Sequence, residues 1–168
     1  MHTSDLVLYE DAFKLINDVI TRLKTDANAK FVFLVDKNGQ QIASHGDQNL
    51  ALDTTSLASL TAGNVAATDG LAKLLGEKEF SILFHEGERD NLHISVVANR
   101  VILVVIFDER SSLGLVRLRV KKASTALEEI FETIVKKPPD NGGWGEAGGF
   151  ESPFAEITDE DIDNLFNI

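Results

Sequence analysis

Residues 30–76 carry the patterns of a buried strand, a turn and a long helix. Residues 31–35, Phe-Val-Phe-Leu-Val, are all apolar, which is typical of a strand. The helix predicted over residues 53–75 has large apolar residues on one side and small ones on the other. We expect the large side to pack on a core and the small side to let another backbone approach, as on a docking surface. The large set is Leu57, Leu60, Leu71 and Leu74, and the small set is Ser59, Ala62, Gly63, Ala66 and Gly70.

Both ends of this helix have recognisable signals. Asp53, or Thr54 after it, can cap the first turn by accepting a free backbone N–H. Gly76 supplies the left-handed residue that commonly ends a helix. Gly63 and Gly70 each destabilise a helix by about 0.5–1 kcal/mol relative to alanine. Their presence suggests that something approaches this helix closely.

Periodicity elsewhere predicts two more helices and four more strands. A helix over residues 11–25 follows from the 3, 4, 3, 4 spacing of Phe13, Ile16, Ile20, Leu23 and Ala27. The strands are predicted at residues 30–36, 40–44, 80–85, 92–98 and 101–107. The dipeptide Asn38-Gly39 predicts a type I′ hairpin turn between the first two strands. A tight turn at Asn99-Arg100 joins the last two.

Residues 113–137 allow two assignments. Residues 116–120 alternate like a strand, whereas an apolar stripe continues at helical spacing for five turns. We choose a helix, with Ser111 or Ser112 as its N-cap. The order is then α-β-β-α-β-β-β-α, an α/β sandwich with a five-stranded, mainly antiparallel sheet and helices on both faces. Pairing of two copies through an edge strand would place two copies of the second helix side by side.

Length and charge divide the chain. The 168 residues suggest one domain, residues 1–137, followed by a Pro/Gly linker, 138–151, and an acidic amphipathic segment, 152–168. Residues 138–168 hold eight acids and no Lys or Arg, so the net charge of -11 falls to -3 for the rest. Nucleic acid is therefore not an expected partner. The absence of cysteine is compatible with a cytoplasmic location but does not establish one. We expect no membrane insertion, because there is no signal-peptide pattern and no apolar run long enough to span a bilayer.

The C-terminal segment has the signals of a short helix. Thr158 can cap it, and Ile157 and Ile162 occupy the positions of a hydrophobic staple. Ile162, Leu165 and Phe166 then share one face. We favour docking of this face on a partner. Packing on its own domain and a disordered solubilising tail are the alternatives.

Sequence motifs for nucleotide binding, metal binding or catalysis are absent or weak. The chain has no P-loop, and no second histidine stands at metal-binding spacing from His85. Residues 36–39 lack the further ligands of a calcium loop. We therefore expect no cofactor, no metal and no catalytic residue. A basic cluster is either a solvated face paired with nearby acids or a patch for an acidic or phosphate-bearing partner; its members are Arg110, Arg117, Arg119, Lys121 and Lys122.

Several stretches resemble the MglB family of the Roadblock/dynein light chain superfamily, and the likeness covers most of the chain. They are residues 26–30, 33–40, 53–75, 84–87, 103–108, 112–122 and 152–157. The resemblance implies a Roadblock fold and a cytoplasmic homodimer, concentrated at a cell pole. It also implies a regulatory role in bacterial polarity and gliding motility. Two copies would bind one MglA, a small Ras-like GTPase, and stimulate its GTP hydrolysis.

The resemblance also implies site residues. The GTPase-binding set would be Ser59, Ala62, Gly63, Ala66, Gly70, Lys73 and Lys122. A second contact, which aids nucleotide exchange, would map to Ile162, Leu165 and Phe166. Stimulation would come from repositioning the GTPase's own residues rather than from an arginine supplied in trans. The alternative is a Roadblock scaffold that binds a GTPase without activating it.

Overall fold

The computed structural model describes residues 3–136 and contains three helices and five strands within that range. The elements are α1 (Thr3–Asp26), β1 (Phe31–Asp36), β2 (Gln41–Gly46), α2 (Thr54–Leu75), β3 (Ile82–Glu86), β4 (Asn91–Val97), β5 (Val101–Phe107) and α3 (Leu113–Lys136). The strands form one sheet in the order β2-β1-β5-β4-β3, and every neighbouring pair is antiparallel. The predicted element order and sheet are thus confirmed.

Helix α1 is longer than predicted. It begins at Thr3 rather than at Asp11. Residues 6–9 are apolar at consecutive positions rather than at helical spacing, so periodicity gave no sign of this first part. The choice of a helix for α3 is confirmed, and the hydroxyl of Ser112 accepts a hydrogen bond from the backbone N–H of Leu115 at 3.2 Å.

Helices α1 and α3 cover one face of the sheet with a continuous core. The core includes Ile16, Ile20 and Leu23 from α1 and Val116, Val120 and Leu127 from α3, all at most 4% exposed. Alternate residues of β1 and β5 point into it, as the two-residue period of a strand requires. Phe13 departs from the predicted α1 stripe, because 47% of its surface is exposed.

Helix α2 covers the opposite face of the sheet. Of its large residues predicted to pack there, only Leu57 contacts the core, and only in part. Its buried residues are Ala58, Thr61, Ala62, Val65, Thr68 and Ala72. Leu60, Leu71 and Leu74, predicted to enter the core, are 72%, 57% and 85% exposed. The sheet itself supplies the large side chains of this core, namely Phe31, Phe33, Ile102, Val104 and Ile106. Small helix residues therefore fill the remaining space, since protein interiors are closely packed.

Two turns also differ from the prediction. Gly39 has a positive φ of 89°, but Asn38 does not, so the β1–β2 turn is not type I′. Instead, the buried Asp36 carboxylate accepts backbone N–H bonds from Asn38 and Gln40, both at 2.9 Å. The β4–β5 turn has its positive φ angles at Ala98 (53°) and Asn99 (54°), one residue earlier than predicted.

Candidate docking surface on helix α2

The ends of α2 are fixed by the predicted caps. The Asp53 carboxylate accepts hydrogen bonds from the Ser56 backbone N–H at 3.1 Å and the Ser56 hydroxyl at 2.6 Å. These two bonds lower the pKa of Asp53. At the other end, Gly76 has a φ of 74°, and its N–H donates to the Lys73 carbonyl at 3.3 Å. The helix therefore presents 22 residues with well-defined faces.

Three stripes run along α2. At about 100° per residue, their centres lie roughly a third of a turn apart. The first is the buried set that packs on the sheet. The second, which we call the leucine stripe, is exposed and consists of Leu60, Leu71 and Leu74. The third, which we call the small-residue stripe, is also exposed and consists of Ser59, Gly63, Ala66, Gly70 and Lys73.

The small-residue stripe contains five of the six α2 positions predicted to bind a GTPase. Ala62 is the exception, because it is only 8% exposed and packs in the core on the sheet. A Cβ atom added at Gly39, in the β1–β2 turn, would lie 3.1 Å from the Cα of Ser59 and 3.6 Å from the Cβ of Ala62. Part of the predicted close approach is thus made by the chain's own turn.

Gly63 and Gly70 have no such explanation within the described chain. A Cβ atom added at either position would meet no atom within 4 Å outside its immediate helical surroundings. Both φ angles are negative, so neither glycine is needed for backbone conformation. The two interior glycines thus each destabilise the helix by about 0.5–1 kcal/mol relative to alanine, and no contact among the described residues requires them.

The leucine stripe lies on the side of α2 nearest the sheet edge formed by β3. Nδ2 of Asn64, which neighbours the stripe, is 3.2 Å from Nε2 of His85 on β3. Strand β3 ends the sheet, and its Ile82 is 50% exposed. Phe80, just before β3, is 37% exposed. An exposed strand edge and exposed leucines therefore occur together, which sequence periodicity did not indicate.

The five predicted basic residues do not form one patch. Arg110 lies in the loop after β5, where Nε is 3.0 Å from Oδ1 of Asp108 and Nη2 is 3.6 Å from Oδ2 of Asp47. The hydrogen bond from Arg110 lowers the pKa of Asp108. The other four are on α3, so Lys122 lies on the opposite side of the sheet from α2.

Further predictions concern metal sites, membrane-spanning helices, the histidines and the C-terminal segment. Within residues 3–136, no cluster of three or more His, Asp or Glu side chains is arranged to hold a metal ion. In that same range, each helix is too short or too polar to span a bilayer. His45, His85 and His93 lie on β2, β3 and β4. The predicted linker and the docking residues Ile162, Leu165 and Phe166 lie outside the described residues.

Comparison with known proteins identifies the fold and the family. The sequence model of the Roadblock/LC7 domain family matches residues 15–107. The structure of Myxococcus xanthus MglB is 66% identical, with a TM-score of 0.71, and the match covers 74% of this chain and 93% of that one. The gliding protein MglB of Thermus thermophilus is 35% identical, with a TM-score of 0.69, over 73% of this chain and 92% of that one.

A further MglB structure, described as having a tetrameric arrangement, is 34% identical with a TM-score of 0.69. Here the match covers 73% of this chain and 92% of that chain. No curated protein sequence gives a significant match.

Proposed function

Because the chain belongs to the Roadblock/LC7 domain family and to its MglB branch, we propose that it is a non-catalytic activator of a small Ras-like GTPase of the MglA type. Two copies of the chain bind one GTPase and stimulate its GTP hydrolysis. The gliding role named for the Thermus relative suggests a place in surface motility and cell polarity, in the cytoplasm near a cell pole.

The small-residue stripe of α2 carries this proposal. Gly63, Ala66 and Gly70 leave an exposed, shallow strip along the helix, and the two glycines have open space above them. A strip without large side chains lets a partner's backbone come close, where dispersion contacts are strongest. Lys73 adds a positive charge at one end of the strip. Such a surface suits a protein partner better than a small substrate.

We further propose that two copies pair through β3. An unpaired edge strand offers a row of N–H and C=O groups to another chain. Ile82 and the leucine stripe would bury their exposed apolar surface in the same contact. A twofold axis perpendicular to the sheet would keep both α2 helices on one side of a continuous sheet. The two small-residue stripes would then form one GTPase platform.

The arrangement of arginines favours activation without an arginine supplied in trans. Such an arginine accelerates hydrolysis by about 10³–10⁵-fold in other GTPases. Here Arg110 is held by Asp108 and Asp47, and Arg117 and Arg119 lie across the sheet from α2. We therefore propose that docking stabilises the GTPase's own catalytic conformation. The C-terminal residues Ile162, Leu165 and Phe166 would assist nucleotide exchange through a second contact.

Phosphate release from the GTP-loaded MglA-type GTPase of the same organism tests the proposal. We expect the unaltered chain to accelerate release strongly and Ala66→Arg to abolish both acceleration and binding, because the long side chain fills the shallow strip. The matched control is Thr21→Arg, an exposed position of α1 across the sheet from α2, which we expect to behave like the unaltered chain.

The other outcomes separate the alternatives. Co-elution without acceleration would identify a scaffold rather than an activator. Absence of binding by the unaltered chain would refute the partner assignment. Loss of acceleration with intact binding in a single Arg→Ala variant would refute the mechanism without an arginine in trans.

A further inference from the structure

A groove of about 490 Å³ runs between α1 and α3, on the other side of the sheet from α2. Its lining includes Leu15 and Val19 from α1 and Ala123, Ala126 and Ile130 from α3. Leu15 is 52% exposed. The groove therefore has apolar lining from both helices, with charged side chains beside it, and it is separate from the proposed GTPase platform on α2.

The groove also has a buried hydrogen-bond donor that lacks an acceptor. Three basic and three acidic residues line it, namely Arg22, Arg119, Lys122, Asp18, Asp26 and Glu129. Nε of Arg119 is buried and has no hydrogen-bond partner among the described residues. A buried donor without a partner is unfavourable, because it has lost its hydrogen bonds to water. An occupant that combines apolar side chains with carboxylates would cover the apolar lining and accept a hydrogen bond from this donor.

We propose that the occupant is the C-terminal segment of the same chain, residues 152–168. Its sequence places Ile162, Leu165 and Phe166 at the spacing of one helical face. Four acids stand among and before them, namely Asp159, Glu160, Asp161 and Asp163. The apolar face matches the apolar lining, and one of the acids would accept the hydrogen bond that Nε of Arg119 can donate. A short amphipathic helix that is marginal alone gains order in such a groove.

The chain outside the described range is long enough to make this contact. Helix α3 ends at Lys136, and the groove begins at Thr133, one turn earlier. From Thr133 to Arg119 the groove follows α3 for roughly 21 Å, at about 1.5 Å per residue. Between the end of α3 and the segment stand residues 138–151, and a random-coil chain of that length spans about 20 Å. The chain can therefore turn back along α3 without strain.

Docking of the segment would cover Lys122, which the family resemblance assigns to the GTPase contact. This consequence rests on the proposed function: the segment would have to leave the groove before Lys122, or the segment's own apolar face, could contact the GTPase. The docking itself does not depend on any GTPase, and its test uses the full chain alone.

Disulfide trapping tests the contact directly, because the natural chain has no cysteine. One full-length variant carries Ala126→Cys, in the groove, together with Leu165→Cys in the segment. The matched control carries Thr125→Cys with Leu165→Cys. Thr125 is the preceding residue and is exposed on the outer face of α3, so its distance along the tether is nearly the same.

We expect the Ala126→Cys pair to close an intramolecular disulfide at least roughly tenfold faster than the control in the same redox buffer. The tether gives both pairs a similar effective concentration, and docking raises that of the cysteine at position 165 near position 126 only. Adding Phe166→Asp should remove the difference. Equal rates for both pairs, or a product that links two chains instead of one, would overturn the proposal. Peptide mass spectrometry and non-reducing electrophoresis distinguish these results.

Discussion

The two faces of the sheet differ in how completely one chain covers them. On one face, α1 and α3 bring large side chains such as Ile20 and Leu127 into a core that is closed to solvent. On the other, α2 alone packs small residues against the sheet and leaves its leucine stripe exposed. Apart from the groove between α1 and α3, the first face has a core that the chain closes by itself, whereas the second has the packing of an unfinished interface.

This difference separates residues that hold the fold from residues that are available for partners. A buried leucine on the α1/α3 face contributes to the stability of the single chain. An exposed leucine on α2 contributes little until another molecule covers it, since stabilisation scales with apolar area removed from water. Four experiments test or refine the comparison.

The largest expected effect comes from truncating matched leucines on the two faces. Leu127→Ala should lower the free energy of unfolding by about 2–5 kcal/mol, because it opens a cavity in a closed core. Leu71→Ala should change it by less than about 0.5 kcal/mol in dilute protein. Urea unfolding at low protein concentration measures both. Similar losses for the two variants would show that α2 is not an unfinished face.

Self-association should respond in the opposite way. Leu71→Asp should weaken the dimer roughly hundredfold, because it places a charge in an apolar contact. Leu118→Asp is the matched control, since Leu118 is 62% exposed but lies on α3. Sedimentation over a concentration series measures the dimer. Equal weakening by both variants would argue against the leucine stripe as the interface.

Acid should weaken the α1/α3 face through His93. This side chain is buried, and neither ring nitrogen has a hydrogen-bond partner among the described residues. Burial, and secondarily the charge of Arg117, lowers the pKa of His93 below its usual 6.5. Just below pH 6.5, the unfolded chain therefore binds a proton at His93, whereas the folded chain does not. The stabilising contribution is therefore complete above pH 6.5 and is lost as the pH falls below it.

We expect a loss of up to ~1 kcal/mol between pH 6.5 and 5.5 from this group. Denaturant unfolding at several pH values measures the slope. His93→Leu should flatten it, whereas His45→Gln, at an exposed position of β2, should leave it unchanged. An unchanged slope in the His93 variant would show that other groups cause the pH dependence.

The smallest effect should come from the α2 glycines, and its sign is informative. Gly63→Ala and Gly70→Ala should each raise the free energy of unfolding by about 0.5–1 kcal/mol, because the added Cβ meets open space. GTPase affinity should fall at the same time if a partner backbone approaches there. Gly76→Ala is the control, and its φ of 74° should make it destabilising. A rise in both stability and affinity would contradict the close approach.

Much of the fold could be predicted because it depends on local patterns. The caps of α2 at Asp53 and Gly76, and the helical stripe of α3, follow from interactions within a few residues. The type of the β1–β2 turn could not be predicted from Asn38-Gly39 alone. There the buried Asp36 carboxylate satisfies two backbone N–H groups and makes a different turn more stable.

The candidate surface was predicted in part. The sequence indicated that α2 has a small and a large side, and five of the six proposed α2 residues share an exposed stripe. Its prediction that the large side meets the sheet is wrong for three of the four leucines. Which side meets the sheet depends on Phe31 and Phe33, which already fill the space under α2. The position of Lys122, across the sheet from α2, also needed the three-dimensional arrangement.

By itself, the sequence determined the order of helices and strands, the caps of α2 and the acidic character of the C-terminal segment. These properties depend on periodicity, short-range hydrogen bonds and charge. The tertiary structure decided which face of α2 is buried, where the leucine stripe lies relative to β3, and that α1 and α3 enclose a groove. Those properties depend on how the volumes of residues distant in sequence fit together, which no local pattern contains.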